Sequence, residues 1–158
     1  MVNAFNNTFL LDTGYSDLFL KNAKMLNINA NKINQIVLTH GHSDHTNGLR
    51  FLEEGKNIIL HPAAYKDRWS KRKLEYVGLP LSEQELKSKH HIVESRQPLE
   101  FYKNCYFLGE IPMIVDFEKD GNFSSDGKNI RRNGWRNGTY WWYNNRKYRR
   151  RREFGGNR

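Results

Sequence analysis

The sequence predicts an α/β fold, and three observations carry that expectation. Short apolar runs, "TFLL" at Thr8 to Leu11, "QIVLT" at Gln35 to Thr39 and "NIILH" at Asn57 to His61, have the length of buried strands and are bounded by turn-forming residues. Segments with the helical spacing of apolar side chains separate them. Polar residues cluster where these runs end, and that is where open α/β sheets gather their ligands.

In chain order, Thr8 to Leu11 reads as a short buried strand stopped by Asp12-Thr13-Gly14, which has turn chemistry. Ser16 stands where it can N-cap a helix running to about Leu26, with Phe19, Ala23 and Leu26 on one face. "NINANK" breaks that helix. Gln35 to Thr39 is a second strand, rich in β-branched residues, and a histidine cluster follows at its C-terminal end. "GLRFLEEG" reads as a short helix closed by Gly55, "NIILH" as a third strand, and Pro62 as the first turn of a helix in "PAAYKDRW". Residues 70–90 are charged and weakly patterned, with a helical look around Glu83 to Lys89. "HHIVES" and "NCYFLGEIP" supply two further short strands, and internal repeats are absent.

Composition divides the chain in two. Residues 1–121 hold 15 Lys/Arg and 15 Asp/Glu, so the whole formal charge of +9 sits in residues 122–158, which hold 11 basic and two acidic side chains. A whole-chain inference of nucleic-acid binding from the pI of about 9.7 would therefore mislead. The last 37 residues contain one aliphatic residue, Ile130, but three of the four tryptophans and four consecutive arginines, Arg149 to Arg152. Such a segment cannot bury a core of its own, so a disordered basic tail is expected after a partial domain spanning residues 1–121. Cys105 is the single cysteine; it sits in an apolar run, reads as a small buried hydrophobe, and points to a reducing, cytoplasmic setting. The N-terminus has no basic region followed by a long apolar stretch, and no window approaches the ~18 apolar residues of a membrane span.

His40, His42, Asp44 and His45 form the pattern H-x-H-x-D-H on a loop leaving the second strand. In extended backbone, residues two apart point the same way, so His40 and His42 can converge on one ion. Asp44 and His45 lie past the bend and can face a second. Imidazole and carboxylate suit zinc, with manganese or iron as alternatives, and two such ions can share a hydroxide and polarise an ester or phosphoryl oxygen. Gly41 and Gly48 are expected to let the backbone bend tightly here.

"LLDTG" followed by "VLTHGHSDHTNGL" resembles the metallo-β-lactamase-fold hydrolase superfamily. "GYSDLFLKNAKMLNI", "ILHPAAYKDRW" and "FLGEIP" are similar to a subgroup related to dihydropterin-ribofuranosylaminobenzene-phosphate synthase. The resemblance covers about residues 8–121 and implies the first half of an αββα sandwich. It implies His40 and His42 as ligands of one metal and Asp44 and His45 as ligands of another, with Asp44 also orienting the attacking water or accepting a proton. Asp12 would hold a ligand histidine from behind, or serve as an ordinary Asx-turn residue. His61, ending a neighbouring strand, and Glu110 would face the substrate pocket; a satisfied structural histidine and a solvated turn carboxylate are the competing readings. His90 and His91 read as surface or strand-edge residues.

Three departures from the family pattern stand out. Only seven residues precede the "DTG" strand, where the family usually carries a hairpin, so part of the first sheet is expected to be absent. Leu108 and Met113 replace the usual threonine before the glycine and arginine after the proline of the "GEIP" stretch. The family completes its metal site with histidines from the second half of the fold, and no histidine follows His91.

The expected activity is metal-dependent hydrolysis of an ester, lactone or phosphoester by hydroxide on one or two zinc ions, weak or absent in this chain. Loss of reading frame near Gly121 would account for the tail's composition. A tail that binds nucleic acid through phosphate contacts and stacking, or a non-catalytic fragment that self-associates through an exposed sheet, are the alternatives.

Overall fold

The computed structural model describes residues 1–4, 7–70, 74–111, 123–124 and 141–143. A five-stranded sheet forms its centre, in the order β1 (Val2–Ala4), β2 (Asn7–Leu11), β3 (Gln35–Val37), β4 (Asn57–Leu60), β7 (His91–Glu94). β1 pairs antiparallel with β2; β2, β3, β4 and β7 run parallel. One three-residue strand, β1, precedes the strand that leads into Asp12-Thr13-Gly14.

Alternation along these strands explains why they read as continuous apolar runs. Leu10, Ile36, Leu38, Ile58 and Leu60 face one side, where they pack with Ile33, Leu49, Leu79 and Leu86 from the helical and loop segments. Phe9, Val37 and Ile59 face the other side and pack on Cys105 and Phe107. A strand buried on both faces needs apolar residues at every position. The second cluster joins the central sheet to an antiparallel one made of β8 (Leu99–Tyr102), β9 (Cys105–Phe107) and β11 (Trp141–Tyr143), ordered β11-β9-β8. Helices on one face and a second sheet on the other make the layering of half an αββα sandwich. Cys105 is the small buried hydrophobe expected of it.

Helices are shorter than their sequence patterns. α1 spans Leu18–Met25, and Asp17 rather than Ser16 takes the N-cap position; the Leu18 N–H donates to Ser16 Oγ at 3.3 Å. "GLRFLEEG" and "PAAYKDRW" yield only 3-10 turns, Asn47–Phe51 and Pro62–Tyr65. α2 (Ser43–Thr46) lies inside the histidine cluster, and α3 (Glu83–Lys89) falls where its pattern placed it. β5 (Trp69–Ser70) and β6 (Glu75–Tyr76) pair in the charged stretch that showed no strand pattern, and β8 was likewise not legible.

The basic tail is not wholly without regular structure. β10 (Phe123–Ser124) pairs with β5, and β11 pairs with β9, because exposed strand edges accept any backbone that can donate and receive hydrogen bonds. The expectations for Met113 and for the remainder of the tail lie outside the described residues.

Candidate metal centre

The C-terminal ends of the parallel strands carry the site. β2 ends in Asp12, β3 leads into Thr39 to His45, and β4 ends at His61. Backbone bonds stitch the first two together: the Thr13 N–H donates to His45 O at 2.7 Å, and the Gly48 N–H to Gly14 O at 3.0 Å. Asp12 adopts φ 53°, a left-handed conformation in which aspartate is one of the better-tolerated residues. Its carboxylate is thereby turned onto the histidine loop.

That carboxylate accepts from three donors. Thr39 N–H donates to Oδ1 at 2.8 Å, the Thr39 hydroxyl to Oδ2 at 2.7 Å, and His45 Nδ1 lies 2.8 Å from Oδ2. Tautomers follow from this pattern. A carboxylate only accepts, so His45 carries its proton on Nδ1 and presents the lone pair of Nε2. Thr39 spends its one hydroxyl proton on Asp12, so its oxygen accepts from His40 Nδ1, 2.9 Å away. His40 Nε2 is therefore unprotonated, and its lone pair accepts from His42 Nδ1, 3.0 Å away. Metal-binding imidazoles characteristically donate their rear N–H to a carboxylate or oxygen in this way. Asp12 thus meets Thr39 and His45 through its side chain, and Thr39 is a residue that sequence reasoning missed.

His40, Asp44 and His45 form a group whose potential ligand atoms all lie within 4.8 Å of one another. Asp44 is about two-thirds exposed and 3.7 Å from His45 Nε2, so rotating it toward an ion costs little. His42 is buried and lies outside that three-residue group, with its Nδ1 3.0 Å from His40 Nε2. Two nitrogens on one tetrahedral zinc stand ~3.3 Å apart, so an ion shared by this pair would take the place of their hydrogen bond, with the His42 proton moved to Nε2. His42 further anchors α2, since its carbonyl accepts from the N–H groups of His45 and Thr46 and from the Thr46 hydroxyl. Burial holds His40 at a pKa of about 4, aided by the neighbouring His45 and His42. Burial, then the Arg68 guanidinium, brings His42 to about 4. Both rings are neutral at pH 7, the form that binds metal.

Gly41 and Gly48 serve close packing rather than turning. Neither has a positive φ; a Cβ on Gly41 would stand 2.2 Å from Ala64 O, and one on Gly48 2.3 Å from Thr13 O. Arg68 is the neighbour on the Gly41 side, donating to the carbonyls of Ala63, Ala64 and Lys66. Nothing in the sequence pattern marked it.

His61 is 1% exposed and N-caps the 3-10 turn, its Nδ1 accepting the Ala63 N–H at 3.0 Å. Because that lone pair is used, neutral His61 holds its proton on Nε2 and offers no bare nitrogen to a metal. Glu110 is half-exposed, 3.8 Å from His61 Nε2 and 3.3 Å from Arg96 Nη1. His90 is buried with Nδ1 unpartnered, which corrects the expectation of a surface residue: it sits where α3 returns to the sheet, and the Leu86 carbonyl accepts its N–H. His91 is exposed on the edge strand β7 as expected.

The family model of the metallo-beta-lactamase superfamily matches residues 3–145. The chain belongs to this superfamily. Among its relatives, a 7,8-dihydropterin-6-methyl-4-(beta-D-ribofuranosyl)-aminobenzene-5'-phosphate synthase of Methanocaldococcus jannaschii is 33% identical over 129 residues, covering 74% of this chain and 44% of that protein. An uncharacterised protein of the same organism is 25% identical over 137 residues, covering 83% and 53%. A solved metal-dependent hydrolase of the beta-lactamase superfamily superposes with a TM-score of 0.67 at 28% identity, covering 82% of this chain and 48% of that one. This superfamily member thus spans about half the length of the proteins it matches. The match runs past Gly121, where the composition changes. Among the described residues no helix is long and apolar enough to cross a membrane.

Proposed function

We propose that this superfamily member is a metal-dependent hydrolase module that holds a divalent ion through His40, Asp44 and His45, with His42 completing the set. The convergence of three ligand atoms within 4.8 Å, backed by the Asp12–Thr39 bonds, is the observation that carries this reading. The nitrogen-rich donors favour zinc, with manganese or iron as alternatives. Bound there, such an ion supplies a nucleophilic hydroxide near neutral pH and Lewis acidity toward an ester, lactone or phosphoester oxygen. Asp12 and Thr39 would keep the two imidazoles in the ligating tautomer, and Asp44, the most exposed of the set, would accept a proton from the attacking water. With no histidine after His91, turnover by this chain alone is expected to be weak.

Metal analysis of the purified chain beside His42→Ala and His45→Ala tests the assignment. About one equivalent of tightly held zinc or cobalt in the wild type, and a marked loss in both variants, is the expected result. A content near zero, or one unchanged by the substitutions, would sink it.

A further inference from the structure

One buried polar group next to the metal cradle has a donor and no acceptor. Among the described residues His61 Nε2 is wholly buried and has no hydrogen-bond partner, although its position at the end of β4 puts it one strand over from the histidine loop. Its Nδ1 is committed to the Ala63 N–H, so Nε2 carries hydrogen and can only donate. Leaving a buried donor unmet costs about 1–3 kcal/mol. The carboxylate facing it stops short. Glu110 Oε2 lies 3.8 Å away, beyond hydrogen-bond range.

Arg96 is what holds Glu110 back. Its Nη1 lies 3.3 Å from Glu110 Oε2, and its carbonyl accepts the Glu110 N–H at 2.9 Å. Gly109, at φ 75°, seats this turn directly on Arg96: a Cβ there would stand 2.5 Å from Arg96 O. A fixed N–H and a braced carboxylate oxygen thus face each other across a gap too wide for a direct bond. With Arg96 offsetting the Glu110 charge and His61 neutral, the pair carries no net charge and does not select an ion.

We propose that His61 and Glu110 form a subsite for a hydroxyl group of a small polyol-type ligand, the hydroxyl oxygen accepting from His61 Nε2–H and its proton going to the Glu110 carboxylate. A hydroxyl, like water, accepts and donates at one atom; an ether or carbonyl oxygen answers only His61, and an ammonium only Glu110. Half-exposed Glu110 is the wall that moves to admit it. That the hydroxyl belongs to the substrate of the adjacent cradle rests on the hydrolase reading above, whereas the subsite itself needs no metal.

The test uses the full chain, metal-free, with ethylene glycol as probe and 1,2-dimethoxyethane, which accepts but cannot donate, as its control. Long-range proton–nitrogen spectra report the His61 ring directly. Glycol is expected to shift the Nε2 signal saturably and the diether to leave it in place. Glu110→Ala, a change at a half-exposed position, should weaken the glycol response about tenfold, and Glu110→Gln, which keeps an acceptor, should recover part of it. No response to either probe, the result if one ordered water fills the gap, overturns the proposal; so do equal responses to both, or a glycol response indifferent to Glu110. A failed metal titration leaves these readouts untouched, so the two readings fail separately.

Discussion

Asp12 decides more about the site than any of the four predicted ligands. Its left-handed backbone turns one carboxylate onto three donors, and those bonds set the tautomers of His40 and His45. In Asp12→Asn the backbone conformation remains acceptable, because asparagine also tolerates positive φ, but an amide N–H₂ then meets hydroxyl or imidazole donors. Zinc affinity measured by competition with a chromogenic chelator should fall about 10–100-fold in that variant. Unchanged affinity would mean that the carboxylate does not orient the ligands. Gly41 matters by a different physics. Since a methyl group there would overlap the Ala64 carbonyl, Gly41→Ala should cost about 1–3 kcal/mol, read as a lower urea midpoint at unchanged slope. The H-x-H-x-D-H residues were legible because their spacing is itself the signal; Thr39 and Arg68 were not, because a threonine ending a strand and an arginine after a turn have many ordinary uses.

Among the elements, α1 and α3 show opposite ways of holding a helix. α3 is specified locally: Ser82 Oγ accepts the Glu85 N–H, and Glu85 returns the bond to the Ser82 N–H, a complete capping box. Its boundaries could be read from the sequence for that reason. Ser82→Ala is expected to destabilise the chain by about 0.5–2 kcal/mol in denaturant unfolding. α1 has no buried residue, and Met25 and Leu26 are 82% and 69% exposed. A pocket of about 220 Å³ separates it from Leu10, Ile33 and Ile36 of the core. Of the face read from the sequence, Phe19 packs against the core and, with Ala23, lines this pocket, while Leu26 stays largely exposed. Helices with so little burial open at low free energy, so α1 amides should exchange with deuterium well before those of β3 and β4. Equal protection would show α1 to be part of the cooperative core.

Across the whole molecule, the polar cluster and the apolar layers respond to pH together. His40 and His42 have pKa values lowered from 6.5 to about 4 by burial, so in that window the unfolded chain binds protons at both rings while the native chain does not. Stability of the metal-free chain should therefore fall as pH drops from 6.5 toward 4. Urea midpoints at pH 7.5, 6 and 4.5 would show it, and the slope should flatten in a His40→Asn variant. The overall architecture was legible because strands buried on both faces, such as Ile36 to Leu38 and Ile58 to Leu60, are apolar throughout. The short pairings β5–β6 and β10–β5 left no such trace, since a two-residue ladder is too short to show an alternating pattern.

By itself the sequence determined the layers of the fold and the spacing of the histidine cluster they carry, because burial selects residue types position by position. Tertiary structure alone decided which nitrogen each histidine presents, that Asp12 reaches Thr39 and His45 across 27 and 33 residues, that His61 is a donor and not a ligand, and that His90 lies inside. Those outcomes depend on which strand ends meet in space, and nothing in the local residue pattern encodes the partner a side chain will find there.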